Sequence, residues 1–424
     1  MKKQLTILIL LFFNCMFAWS QKTIKTETPC TDEVLFKTPG RWLTAYGGLL
    51  DNGSAYAGLN KSQVKEGTNR MDAVHQTLLK LYPEPMAIDA EWHHTVGKSS
   101  FGEQVKWVKN SQGVLNMETI KEKPVAVFSY NCAFFRYYCN PNNAHEIWPG
   151  SPGETPTSLH VYANYFNMAA GIPRTGDPDY SGDLAAVLTI GGYPMRLRHS
   201  LNKNLGEFEM LSIGDHKSRY LIVHRKGMLP YIPVTRKQYL DRCIPYITNW
   251  WNNSIKSIEQ MPVRTLQEQE AEKKQTLAKM EKDFAGNPQA LKSAVDYYLA
   301  GYQTEQQVRD EQKKKLMIDM NAALKRYQDE LEETTKAGLL NTPAIIPVSI
   351  FDPVADIGPI FVSEKEGSMV VIENPDYMRK DLPKYVPQFF VVWWTWGEWK
   401  PWEDIAKLIE EKFPFEKLQQ MLDK

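Results

Sequence analysis

Between Gln388 and Trp394 the chain reads Phe389-Phe390-Val391-Val392-Trp393-Trp394, with no polar residue after the glutamine. A strand sends successive side chains to opposite faces, so this segment, extended, offers neither face to water. It predicts a buried strand, and hence a fold with material packed on both sides of a sheet.

The rest of the chain alternates between helical and extended patterns. In Asn60 to Tyr82, the residues Met71, Val74, Leu78 and Leu81 recur on one helical face, and Pro83 ends the pattern. Val125 to Tyr130 reads as a strand leading into Phe134, Phe135, Tyr137 and Tyr138 and then a turn at Asn140-Pro141-Asn142-Asn143. Trp148 to Asp183 is rich in Pro, Gly and Ser, with a short helix expected around Leu159 to Ala169. Leu184 to His199 predicts a hairpin turning at Gly191-Gly192, where glycine permits positive φ. Phe208 to Ile213, Arg219 to Val223 and Met228 to Val234 add strands or extended segments, and Thr235 caps a helix running toward Trp250-Trp251 past Pro245. From Thr265 to Leu340 the pattern is helical and charged. It breaks at Gly286-Asn287-Pro288, carries a stripe of Leu316, Met320, Ala323, Tyr327 and Leu331, and ends at the C-cap glycine Gly338. Ala344 to Ile350 and Met369 to Ile372 are further strands, and Trp402 to Lys412 and Phe415 to Leu422 are helices. The fold class expected is α+β, with antiparallel β-rich modules, packed helices and a long helical hairpin in a structural role. The divisions expected are 1–20, 21–183, 184–263, 264–340 and 341–424.

Residues 1–20 read as a signal peptide. Lys2 and Lys3 precede an apolar run from Leu5 to Phe17, and Ala18-Trp19-Ser20 supplies a cleavage signature before Gln21. The run is too short for a comfortable transmembrane helix, so an exported, soluble protein of the periplasm or exterior is expected. Phe12-Phe13-Asn14 lack the small residues that lipoprotein processing favours before Cys15. Without Lys2 and Lys3 the chain holds 48 basic and 50 acidic side chains, a balance that argues against nucleic acid and against docking on anionic lipid. Four cysteines remain beyond the leader, Cys30, Cys132, Cys139 and Cys243, and an oxidising compartment predicts at least one disulfide among them. Cys132 with Cys139 is the first pairing expected, because it closes a short loop.

Two groups attract a functional reading. Asp89-Ala90-Glu91-Trp92-His93-His94 is the densest set of possible metal ligands, and a strand would put Asp89, Glu91 and His93 on one face. It lacks a second cluster at fixed spacing, so a hydrogen-bonded polar patch with no metal is the reading preferred; His75, His145-Glu146 and His160 could join it only through the fold. Trp92, Tyr137, Tyr138, Trp148, Tyr162 and Tyr165 form a possible platform for sugars, set against ordinary core packing, and Trp393, Trp394, Trp396, Trp399 and Trp402 carry the same two readings. No nucleophile elbow, phosphate loop, dinucleotide fingerprint or other cofactor motif is present. Carboxylate pairs for glycoside hydrolysis are set by distance in space and stay open.

Met228-Leu-Pro-Tyr-Ile-Pro-Val-Thr-Arg-Lys-Gln-Tyr-Leu240, and Asn374-Pro-Asp-Tyr through Leu382-Pro383-Lys384 to Pro387-Gln388, resemble segments of uncharacterised exported proteins of Bacteroidota-type bacteria. The resemblance spans about a quarter of the chain and implies localisation, not activity. The function expected is a binding or envelope-associated role with a cell-envelope or glycan partner. The alternative is a secreted hydrolase acting on glycan or peptide from a site in the N-terminal part.

Overall fold

The computed structural model describes residues 23–51, 54–97, 104–109, 115–120, 126–150, 157–165, 195–196, 199–212, 217–347, 358–374 and 376–424. Residues 1–20, expected as a signal peptide, and most of the hairpin expected at 184–199 lie outside them. The fold is α+β, with antiparallel sheets and packed helices. The chain divides into two compact units, one drawn from 1–174, 194–233 and 363–424, the other from 175–193 and 234–362.

In the first unit the elements run β1 (Ile24–Lys25), α1 (Asp32–Phe36), β2 (Trp42–Asp51), α2 (Ser54–Ala57), α3 (Lys61–Leu81), β3 (Ile88–Gly97), β4 (Gln104–Lys109), β5 (Leu115–Ile120), β6 (Val127–Cys139), β7 (Glu146–Pro149) and β8 (Ser158–Ala163). They continue with β9 (Met195–Arg196), β10 (His199–Leu205), β11 (Phe208–Ser212), β12 (Ser218–Val223) and β13 (Tyr231–Pro233). The main sheet has the order β2-β3-β6-β8, then a strand from near the C-terminus, then β12-β11-β10; β7 and β1 extend the far end of β6. Only β2 and β3 run parallel among these pairs.

In the second unit come α4 (Arg236–Gln260), α5 (Leu266–Asp283), α6 (Pro288–Gly301), α7 (Glu305–Lys336) and β14 (Ile345–Pro347). The chain then returns to the first unit with β15 (Gly367–Glu373), β16 (Phe390–Thr395), α8 (Lys400–Lys412) and α9 (Phe415–Gln419). β16 is the strand inserted between β8 and β12, so the segments 21–183, 184–263 and 341–424 all contribute strands to one sheet.

The core lies on one face of that sheet. Ile88, Ala90 and Val96 of β3, Phe128, Tyr130, Cys132 and Phe134 of β6, Leu159, Val161 and Ala163 of β8, and Phe390, Val392 and Trp394 of β16 all point there and are buried. Val64, Met71, Val74 and Leu78 of α3 cover it together with Trp402, Ile405 and Ile409 of α8 and Phe415 and Leu418 of α9. α3 starts where Asn60 accepts from the backbone of Gln63 while the Gln63 side chain accepts from the backbone of Asn60, a reciprocal cap. Gly67 is the point of closest approach, since a Cβ there would sit 2.3 Å from the Phe128 ring. On the opposite face, near β12 and β11, a smaller apolar cluster of Leu211, Tyr220, Ile222 and Val391 packs with Val371, Tyr377 and Phe389; β15, paired with β13 and β9, supplies Val371.

The three helices α5 to α7 confirm the break expected at Gly286-Asn287-Pro288, where Asn287 caps α6 and Pro288 opens it. Gln269 ties α5 to α7, donating to Arg264 O (2.7 Å) and accepting from Glu305 N (2.8 Å). Gly338, at φ 70°, closes α7 with paired bonds Gly338 N to Thr335 O and Leu339 N to Thr334 O. Ala323 and Tyr327 of the apolar stripe are buried, whereas Leu316, Met320 and Leu331 are half-buried.

Two expectations are corrected. The helix expected around Leu159 to Ala169 is instead the strand β8 over its described part, because Leu159, Val161 and Ala163 alternate with Ser158, His160 and Tyr162. The first-choice disulfide is also wrong: Cys30 pairs with Cys139, with Cα atoms 5.5 Å apart, and Cys132 and Cys243 are buried and take no part in a disulfide. Cys132 and Cys139 sit on one extended strand, seven residues or about 23 Å apart and on opposite faces, which no disulfide spans.

Candidate functional site

The second face of the main sheet is built from the alternate residues of the same strands, and the register arranges them in rows. One row is Glu91, Ala133, Ser158, Thr395 and Ser218; the next is His93, Asn131, His160, Trp393, Tyr220 and Leu211; the third is Thr95, Ser129, Tyr162, Val391 and Ile222. Toward β12 the rows end in the apolar cluster described above. Across β3, β6 and β8 they consist almost wholly of hydrogen-bonding side chains, most of them half-buried.

His160 stands at the centre. Its Nδ1 lies 2.8 Å from Asn131 Oδ1 and its Nε2 2.9 Å from Ser158 Oγ. Asn131 Nδ2 donates to Thr95 Oγ1 (2.9 Å) and to Ser129 Oγ (3.0 Å), which turns the carboxamide oxygen toward the imidazole. A neutral imidazole has one N–H and one lone pair, so this arrangement places the proton on Nδ1 and leaves Nε2 to accept from Ser158. The ring is held as firmly as its nitrogens. It stacks on Trp393 at 4.6 Å and 16°, and Trp393 stacks in turn on Tyr220 at 5.8 Å and 4°. Tyr162, two residues along β8, lies parallel to the imidazole at 5.9 Å and 11°, with Tyr165 tilted against it. Four near-parallel rings thus form a wall through the polar rows.

The residues singled out in the sequence are distributed between the two faces. Asp89, Glu91 and His93 do share a face of β3, and His94 takes the other. Asp89 is fully buried and its oxygens are taken: Arg41 N (3.0 Å), Arg41 Nε (3.2 Å) and Tyr137 Oη (2.6 Å) donate to Oδ1, and Arg41 Nη2 (2.5 Å) to Oδ2. It anchors β2 to β3 and β6 rather than facing a ligand. Glu91 and His93 belong to the polar rows. Burial raises the Glu91 carboxyl above its usual range, helped by the Asp89 charge, and lowers His93. Tyr46 meets His93 edge-on at 5.0 Å.

His94 lies in the core beneath α3, 3.7 Å from Asp72, with its Nδ1 lacking a hydrogen-bond partner. His75 stacks on Trp92 at 3.8 Å and meets Tyr130 Oη at 3.2 Å, and burial pushes it down to about 4. His145 rests on Thr26 O, 3.3 Å away. Among the described residues, no group of three or more His, Cys, Asp or Glu side chains is placed to hold a metal ion.

The aromatic platform separates likewise. Trp92 belongs to the histidine stack in the core, Tyr137 to Asp89, and Tyr138 lies under the Arg136 guanidinium at 4.1 Å. Trp148 is exposed. Tyr162 and Tyr165 border the polar rows, as does Trp393, while Trp394 and Trp402 are core. Asn131, Ser129, Thr95 and Ser158 were not legible as site residues. The available signal was the alternation Ser158-Leu-His160-Val-Tyr162, which the helical reading of that segment obscured.

The chain matches no protein-family model, no curated protein and no solved structure.

Proposed function

We propose that the chain is an exported binding protein of the bacterial envelope, and that the polar rows of the main sheet are its ligand surface, with a glycan as ligand. One observation carries the reading. Half of the large sheet's second face is given to Glu91, His93, Thr95, Asn131, Ser158 and His160 beside a wall of rings, whereas the first face carries the main apolar core, with His94 as its buried polar member. Hydroxyl-rich sugars need closely spaced donors and acceptors on a stiff support with an aromatic border, and neighbouring strands supply that spacing. Export is supported by the Lys2-Lys3, apolar, Ala18-x-Ser20 series and by the Cys30–Cys139 disulfide, a bond that persists in oxidising compartments. The resemblance of Met228–Leu240 and Asn374–Gln388 to exported Bacteroidota-type proteins points the same way. No described helix is long and apolar enough to cross a membrane.

Titration of the full chain with soluble oligosaccharides, including fragments of peptidoglycan and of outer-membrane polysaccharide, tests the surface. Binding should weaken about tenfold in Tyr162→Ala and in Glu91→Gln, the size of one lost aromatic or hydrogen-bonded contact. Affinity unchanged in both variants would place the ligand elsewhere. Mass spectrometry of the native protein in cell fractions tests export: a chain beginning at Gln21 outside the cytoplasm is expected, and an intact Met1 inside it overturns the reading.

A further inference from the structure

We propose that Ser158, His160 and Asn131 form an acyl-transfer site, with Ser158 as nucleophile, His160 as general base and Asn131 as the positioning residue, acting on ester-linked acyl groups. Its substrate class, an O-acylated sugar, rests on the glycan reading above; its chemistry does not.

A serine becomes a nucleophile when a base within hydrogen-bond reach can take its proton and a third group orients that base. Ser158 Oγ is 2.9 Å from His160 Nε2, and Asn131 Oδ1 is 2.8 Å from Nδ1 on the far side of the ring. Ser158 and His160 are two residues apart on β8 and therefore on one face, and Asn131 is the direct cross-strand partner of His160 on β6. Both strands lie inside the sheet, so the three side chains are supported by paired backbone rather than by a loop. Thr95 and Ser129 hold the carboxamide, and Trp393 and Tyr162 stack near-parallel to the ring. This fixes the tautomer, because an imidazole with its proton on Nδ1 can act only through Nε2, the nitrogen facing Ser158.

The step balances without a cofactor. Ser158 Oγ attacks the ester carbonyl carbon as its proton passes to His160 Nε2. The tetrahedral intermediate collapses by breaking the bond to the sugar oxygen, which takes the proton back from His160. Water then attacks the acyl carbon as its proton passes to His160 Nε2; the bond from that carbon to Ser158 Oγ breaks, Oγ takes the proton back from His160, and a carboxylic acid leaves. β8 is hydrogen-bonded on both edges, to β6 and to β16, so stabilisation of the developing oxyanion falls to side-chain donors. Among the described residues, the buried Trp393 Nε1 and Ser218 Oγ, both in these rows, have no hydrogen-bond partner. An oxyanion donor elsewhere is worth about 10²–10³ in rate, so activated acyl and phosphonyl electrophiles are the sensitive probes.

The full chain is treated with an alkyl fluorophosphonate, and the modified residue is located by peptide mass mapping. An adduct on Ser158 is expected, absent in Ser158→Ala. Its rate of formation should fall about a hundredfold in His160→Gln, the usual scale of lost general-base catalysis. Asn131→Ala should also slow it, and Asn131→Asp, which keeps an acceptor facing Nδ1, should recover most of the rate; a merely structural role would not give that recovery. A folded wild-type chain that binds oligosaccharide and leaves Ser158 unmodified overturns the acyl-transfer site and leaves the binding surface standing. Modification of Ser158 without oligosaccharide binding keeps the site and removes the glycan reading.

Discussion

The two faces of the main sheet use one backbone for different purposes, and β16 shows the contrast within six residues. Phe390, Val392 and Trp394 point into the core and are essentially inaccessible, while Val391, Trp393 and Thr395 point to the other face, where Trp393 stacks on His160. On the core face the selected property is volume: each fully buried large apolar side chain is worth about 1.5–3 kcal/mol, and packing tolerates many sequences of similar volume. On the polar face it is direction. A side-chain hydrogen bond contributes only about 0.5–1.5 kcal/mol net, yet a displaced donor leaves a half-buried partner unsatisfied. A face of this kind adds little stability per residue and restricts the sequence severely, which is the pattern of a surface kept for recognition or chemistry.

The sharpest way to break the comparison is to truncate neighbouring tryptophans. Trp394→Ala should cost about 3–5 kcal/mol in denaturant unfolding, as large-to-small changes in a full core do. Trp393→Ala should cost less than half as much while weakening oligosaccharide binding. Equal losses of stability would mean that the polar face is a second core.

Acid should also act on the core face. His75 is held down to about 4 by burial, against an ordinary value near 6.5; the Asp72 charge opposes the shift and His94 adds to it. The unfolded chain therefore takes up a proton as pH falls through about 6.5, while the native chain resists until about 4. Stability is complete above the upper value and is lost across that window, on the order of 3 kcal/mol for this group. Thermal melts of the wild type and of His75→Gln should diverge in slope there, the variant being flatter. Parallel curves would show that the carboxylates alone govern acid unfolding.

A smaller effect sharpens the packing side. Alanine is favoured over glycine inside a helix by about 1 kcal/mol, so Gly67→Ala would stabilise α3 in isolation. With the Phe128 ring 2.3 Å from the new Cβ, overpacking should win, for a net loss of about 1 kcal/mol. A variant more stable than wild type would show the α3–β6 contact to be soft. Of similar size, Asn131→Ala should change stability by about 1 kcal/mol, the scale of its hydrogen bonds, while its effect on Ser158 reactivity is many times larger. A large stability loss with unchanged reactivity would reverse that assignment.

Sequence alone determined what depends on near neighbours. Helix α3 follows from its apolar spacing and the Pro83 stop, and α6 and α7 from Asn287-Pro288 and Gly338, because caps and periodicity act over three or four residues. The shared face of Asp89, Glu91 and His93 was legible for the same reason, since strand alternation is a local property. The separation of Asp89 into an ion pair with Arg41, the pairing of Cys30 with Cys139 and the meeting of Thr95, Asn131, Ser158 and His160 were decided by tertiary structure. Apart from Ser158 and His160, neighbours on β8, the bonds in these groups join residues from 29 to 109 positions apart. Strand order and register choose such partners, and these in turn follow from burying apolar surface summed over the whole sheet, a quantity that no local window of residues contains.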